Sequence, residues 1–125
     1  MTNRSFLAMA LATTLIACGD SEPAGPVGQN GDFNITISSG TQPTYTWPAN
    51  GAGFSVSVVR TSAPTTIVWG IANPARTLNS PVTHGAVPQG ALESAATEKV
   101  LTAGVQYRVA ITNGDGKTSW KEFTP

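Results

Sequence analysis

Cys18 is the only thiol in this chain and His84 the only imidazole, so most nucleophilic or metal chemistry would pass through one of these two residues. A lone cysteine has no disulfide partner, which leaves a reactive thiol or an attachment point. A metal site with two histidine ligands is excluded by count, and a Ser-His-acid triad would have to use His84. The surrounding Ser80-Pro81-Val82-Thr83-His84-Gly85 reads as a turn-bounded strand with serines nearby but no adjacent acid. A surface or edge-strand histidine is therefore expected. Glycoside hydrolysis needs two carboxyl groups facing each other across a cleft. Glu93 and Glu98 lie in an irregular segment and Glu122 near the C-terminal end, which offers no such pair. Asn113-Gly114-Asp115-Gly116 faintly resembles a calcium loop but lacks the spaced oxygen ligands and closing glutamate, so it reads as a hairpin turn. No catalytic residue, metal ligand or cofactor is expected, and the chain does not read as an enzyme.

The surroundings of Cys18 give its thiol a use. A single charge, Arg4, precedes the apolar run Phe6 to Ala17, which ends Leu15-Ile16-Ala17-Cys18. The run is shorter than the roughly 20 residues a membrane span needs. Charged start, short apolar core and small residue before the cut match a secretory signal, and the Leu-Ile-Ala-Cys ending resembles the lipobox of bacterial lipoproteins. That resemblance implies cleavage between Ala17 and Cys18, with diacylglyceryl and palmitate-type acylation of Cys18. Two or more acyl chains hold a protein stably at a membrane, each buried CH₂ contributing about 0.8 kcal/mol. Gly19, where an aspartate would imply retention in the inner membrane, points to the outer membrane.

Residues 1–17 thus read as a signal peptide, and 18–32 as the acylated Cys and a flexible tether. Gly19, Gly25, Gly28, Gly31, Pro23 and Pro26 fall in that stretch, with Val27 its only bulky apolar residue. Residues 33–125 remain for one small domain. Seven basic and seven acidic residues give a formal net charge of zero with no block of either sign. Nucleic-acid binding, which needs clustered Lys and Arg, is set aside.

The domain reads as strands. Phe33 to Ile37 and Phe54-Ser55-Val56-Ser57-Val58 alternate apolar and polar, the signature of a half-buried strand. Thr44 to Trp47, Thr66 to Ile71, Pro81 to Gly85, Val105 to Asn113 and Thr118 to Phe123 complete about seven strands, while Ala91 to Leu101 has room for one helical turn. Each strand carries one apolar face, so an all-β antiparallel sandwich is predicted. Its core would hold Trp47, Phe54, Val56, Val58, Tyr107, Val109, Ile111 and Phe123, with Ile67, Trp69 and Ile71 sharing one face of their strand. Without a disulfide, burial of these side chains must supply the stability, at roughly 1.5–3 kcal/mol each before entropy costs.

Leu101-Thr102-Ala103-Gly104-Val105-Gln106-Tyr107, running into an alternating strand, resembles the E–F corner of fibronectin type III domains. Pro43 to Trp47, a Gly-rich turn and Phe54 to Val58 resemble that family's B–C hairpin with its core Trp. The resemblance implies an Ig-like sandwich in which the Tyr107 hydroxyl bonds back to the corner backbone. Fold alone does not select a function. If Phe123 faces the core, Ser119 and Lys121 share its face and Trp120 points outward, unless a sheet bend buries it. An exposed aromatic is a contact for sugar or protein, which makes Trp120 and Tyr45 the candidate ligand contacts. The expected function is a lipid-anchored, non-enzymatic protein-binding or structural module of the cell envelope. Its partners would be the membrane, through Cys18, and an envelope protein. A surface carbohydrate-binding module using the exposed aromatics is the alternative.

Overall fold

The computed structural model describes residues 28–48 and 52–125. Ala17, Cys18, the signal segment and most of the tether lie outside the described residues. The domain is an all-β antiparallel sandwich, with no helix among the described residues. Its strands are β1 (Gln29–Gly31), β2 (Thr36–Ile37), β3 (Thr44–Thr46), β4 (Gly53–Arg60), β5 (Ala63–Ala72), β6 (Val82–Thr83), β7 (Leu92–Ala96), β8 (Tyr107–Asn113) and β9 (Thr118–Phe123). A six-stranded sheet runs β1-β9-β8-β4-β5-β7, and a three-stranded sheet runs β2-β3-β6.

Alternation along β8 explains its central place. Tyr107, Val109, Ile111 and Asn113 are buried on one face, and the residues between them are half-buried on the other. They meet Val56, Val58, Trp69 and Ile71 of the same sheet and Ile35, Tyr45, Trp47 and Val82 of the facing one in a single apolar cluster. Aromatic edges knit the two layers: the Tyr45 ring lies 5.9 Å from Phe123, and Trp69 lies 4.6 Å from His84. The Asn113 side chain builds the β8–β9 turn by accepting from the N–H groups of Asp115 and Lys117. Gly116 takes the left-handed φ of 82° that this turn requires.

The strand periodicity misleads in two places, and both are bulges. Phe54 is 37% exposed rather than in the core. Two steps of β4, Gly53 to Ser55, stand opposite one step of β8, Asn113 to Thr112, so Phe54 is the extra residue turned outward. In β5 the pairing with β4 slips between Trp69 and Ile67, so Val68 is buried and Ile67 is 44% exposed.

Two further elements differ from the sequence reading. Gln29–Gly31, read as the end of the tether, forms β1 on the edge of the large sheet, so the fold begins before residue 33. Phe33 N–H donates to Ser119 Oγ at 2.9 Å and Lys121 Nζ to the Ile35 carbonyl at 3.1 Å. At Gly31, φ is 125° and a Cβ would sit 2.4 Å from the Ser119 Cα, so only glycine admits this approach. The segment given room for a helical turn carries β7 instead, an edge strand whose register slips at Ser94. Such a bulge blunts an open edge against further strand pairing.

Candidate functional site

Of the expected surface or edge-strand histidine only the second part holds: His84 directly follows β6, an edge strand of the small sheet, but is fully buried. It projects between the sheets, where the Tyr45 hydroxyl lies 2.9 Å from Nδ1 and the Glu98 carbonyl 2.7 Å from Nε2. A carbonyl only accepts, so Nε2 carries the proton and Nδ1 accepts from the tyrosine. Both nitrogens are satisfied in the neutral ring. Burial pushes the His84 pKa below its ordinary value, against a smaller opposing effect of the Glu98 carbonyl. Among the described residues no serine hydroxyl or carboxylate is bonded to the ring, and the residue exposes no surface.

Glu98 links this group to a second one. Its carboxylate takes a forked pair from Arg60, with Nε–Oε2 at 2.9 Å and Nη2–Oε1 at 2.5 Å. Tyr107 O–H donates to the same carboxylate at 3.1 Å while its oxygen accepts the Thr102 N–H at 2.9 Å. The Arg60 hydrogen bonds hold the Glu98 carboxyl below the ordinary carboxylate range. The other two glutamates considered for catalysis are also committed. Glu93 meets Lys99 at 3.1 Å and accepts from Trp69 Nε1 at 3.2 Å, and Glu122 meets Arg108 at 2.7 Å. None of these pairs two carboxyl groups across a cleft. Among the described residues no three His, Cys, Asp or Glu side chains gather as a metal site.

The two aromatic contacts separate. Tyr45 is fully buried with its hydroxyl on His84, so it cannot touch a surface ligand. Trp120 lies on the outer face of the large sheet, opposite Ala110 and Asn30, with Ser119 buried beneath. Its ring is half-buried, and the Arg108 guanidinium covers it 4.2 Å from the centroid. Arg108 Nε is buried with no hydrogen-bond partner among the described residues. An indole face already stacked on a cation is a poor platform for a sugar ring.

A cavity of about 360 Å³ opens elsewhere, at the end of the sandwich that holds the β8–β9 turn. Asp32, Phe33 and Asn34 after β1 line one side, Trp47 and Pro48 after β3 another, and Asn113, Asp115 and Lys117 of the turn a third. Trp47 is fixed there by its N–H on Ser80 Oγ at 2.9 Å, and its ring packs where Gly53 leaves room for want of a Cβ. Of these residues the sequence singled out the turn alone, for its calcium-like look. Asp32 was assigned to the tether, and the β1–β9 pairing brings it to the same cavity as Asp115. The chain matches no protein-family model, no curated protein and no solved structure.

Proposed function

We infer that the protein is a lipid-anchored, non-enzymatic module of the bacterial cell envelope, most at home on the outer membrane, where its β-sandwich binds a protein partner or serves as a structural element. The Leu15-Ile16-Ala17-Cys18 ending and the Gly/Pro-rich residues after it supply the anchor and tether. The observation that carries the reading is how the chain enters the sandwich. β1 is paired along β9, and the Gly28 carbonyl accepts the Glu122 N–H at 2.5 Å. A load arriving through the tether would pass into the central sheet through a ladder of backbone hydrogen bonds. A non-catalytic role is supported by the commitment of His84, Glu93, Glu98 and Glu122 to internal bonds.

Cys18→Ser tests the reading in the native envelope. The wild-type chain is expected to take up labelled palmitate and sediment with membranes, and the variant to do neither. A variant that still labels and still sediments would remove the anchor and the function built on it.

A further inference from the structure

The two ends of the sandwich differ in chemistry, and the chain enters at one of them. Gly28 lies beside Glu122 near the last residues of β9, and the Gly104 N–H bonds the Pro125 carbonyl at that same end. β4 runs from the opposite end, paired Gly53 to Asn113, down to Arg60 opposite Tyr107. Its eight residues separate the ends by about 25 Å at a strand rise of roughly 3.3 Å per residue. The cavity of Asp32, Asn34, Trp47 and Asp115 lies at the far end.

We propose that this cavity is a saccharide-binding site, sized for one or two sugar units and presented on the end of the sandwich remote from the tether. Its volume of about 360 Å³ falls in the lower part of the roughly 300–1,000 Å³ range of small-ligand sites. Its lining mixes the groups a sugar needs. The Asp32 and Asp115 carboxylates accept from hydroxyls, Lys117 donates, and the Asn34 amide adds donors. Asn34 Oδ1 is already taken by Gln29 Nε2 at 2.8 Å, so its NH₂ group is the part left for a ligand. Half-buried Phe33 offers an apolar edge for the C–H groups of the ring, while Trp47, only 4% exposed, closes the inner wall from within the core. Among the described residues none of Asp32, Asp115 and Lys117 forms an ion pair, in contrast to Glu93, Glu98 and Glu122. Two carboxylates against one lysine disfavour an anionic ligand, and a wholly apolar one would leave all three charges unpaired. The sugar-binding alternative thus moves from Trp120 and Tyr45 to a different part of the molecule.

Only the outward presentation rests on the anchored reading. Binding itself is measured on the full chain in detergent micelles, so its failure leaves anchoring standing and a failed Cys18 test leaves the cavity standing. The probes are N-acetylglucosamine, its β-1,4-linked dimer and maltose, with inorganic phosphate and a tri-lysine peptide as competitors of other chemistry. At least one sugar is expected to shift the backbone amide resonances of residues 32–34, 47–48 and 113–117 saturably. Asp32→Ala and Asp115→Ala should each weaken it about tenfold, the loss of one hydrogen bond to a charged group. Trp120→Ala should leave binding unchanged. Silence from all three sugars at about 10 mM, ten times a Kd of about 1 mM, overturns the proposal. So do sugar shifts on the Trp120 face, aspartate variants that bind as well as wild type, or the same residues answering to phosphate or tri-lysine instead of sugar.

Discussion

The two ends of this sandwich spend their polar groups differently. At the entry end, Tyr45, His84, Glu98, Arg60, Tyr107 and Thr102 form one connected set in which nearly every donor meets an acceptor inside the protein. At the far end, Asp32, Asp115 and Lys117 surround a cavity and no ion pair joins them. A buried polar set that is fully satisfied rigidifies a fold, whereas removing one member strands the others without partners. The entry end is therefore structural and sensitive to mutation. The three charged side chains of the far end can change at little structural cost.

The strongest break of that contrast is His84→Ala. It strands the Tyr45 hydroxyl and the Glu98 carbonyl and leaves a void beside Trp69. A loss of roughly 3–5 kcal/mol is expected from the combined cavity and unsatisfied polar groups. Urea unfolding measures it, and a loss under 1 kcal/mol would show that the network contributes little.

Tyr107→Phe is the next largest. It removes the acceptor for Thr102 N–H and one donor to Glu98 while keeping the ring that stacks on Phe123. About 1–3 kcal/mol should be lost. Hydrogen exchange would separate cause from packing, because the Thr102 amide should lose protection well before the amides of β8. Equal protection in both proteins would remove the hydroxyl from the argument.

How much of this was legible in the sequence depends on whether a feature is local. The alternation of β8 and the Asn113 to Lys117 turn are properties of adjacent residues, and both were readable. Phe54 and Ile67 were misplaced because a period of two assumes an unbroken register, and each sits at a slip that its partner strand imposes. β1 carries no apolar signal at all, since Gln29, Asn30 and Gly31 are held by backbone pairing. The burial of His84 depends on a hydroxyl 39 residues away in sequence. The cavity draws on three separated segments, and no pattern within any one of them announces it.

Acid should act on the entry end in two stages. His84 is held neutral in the folded state, its pKa below the ordinary 6.5, so the unfolded chain binds a proton first. Stability is complete above about 6.5 and declines as pH falls from there through the folded pKa. Glu98 is held ionised, its pKa below the ordinary 4.5, so its contribution is present above that value and is lost as pH falls through the folded pKa. Both shifts thus weaken the fold in acid, His84 first. His84→Gln keeps a donor and an acceptor without a titratable ring, and the slope of stability between pH 6.5 and 5 should flatten in it while the lower stage remains. A slope unchanged in His84→Gln would assign the upper stage to another group.

The smallest stability effect belongs to the far end, and there it decides the comparison. Asp32 and Asp115 are exposed, and neither carboxylate is bonded to another described residue. Asp115 serves the turn through its backbone N–H on Asn113 Oδ1, a bond that survives truncation of its side chain. Asp32→Ala and Asp115→Ala should therefore each change stability by no more than about 0.5 kcal/mol. Asn113→Ala is the informative neighbour, because its side-chain oxygen holds two N–H groups of the same turn. It should cost about 1–2 kcal/mol. If the aspartates proved as costly as Asn113, the cavity walls would be structural like the entry end, and the two ends would no longer differ in kind. If they prove silent, the carboxylates at this end are not needed for the fold, which is the condition a ligand site must meet before its occupant is sought.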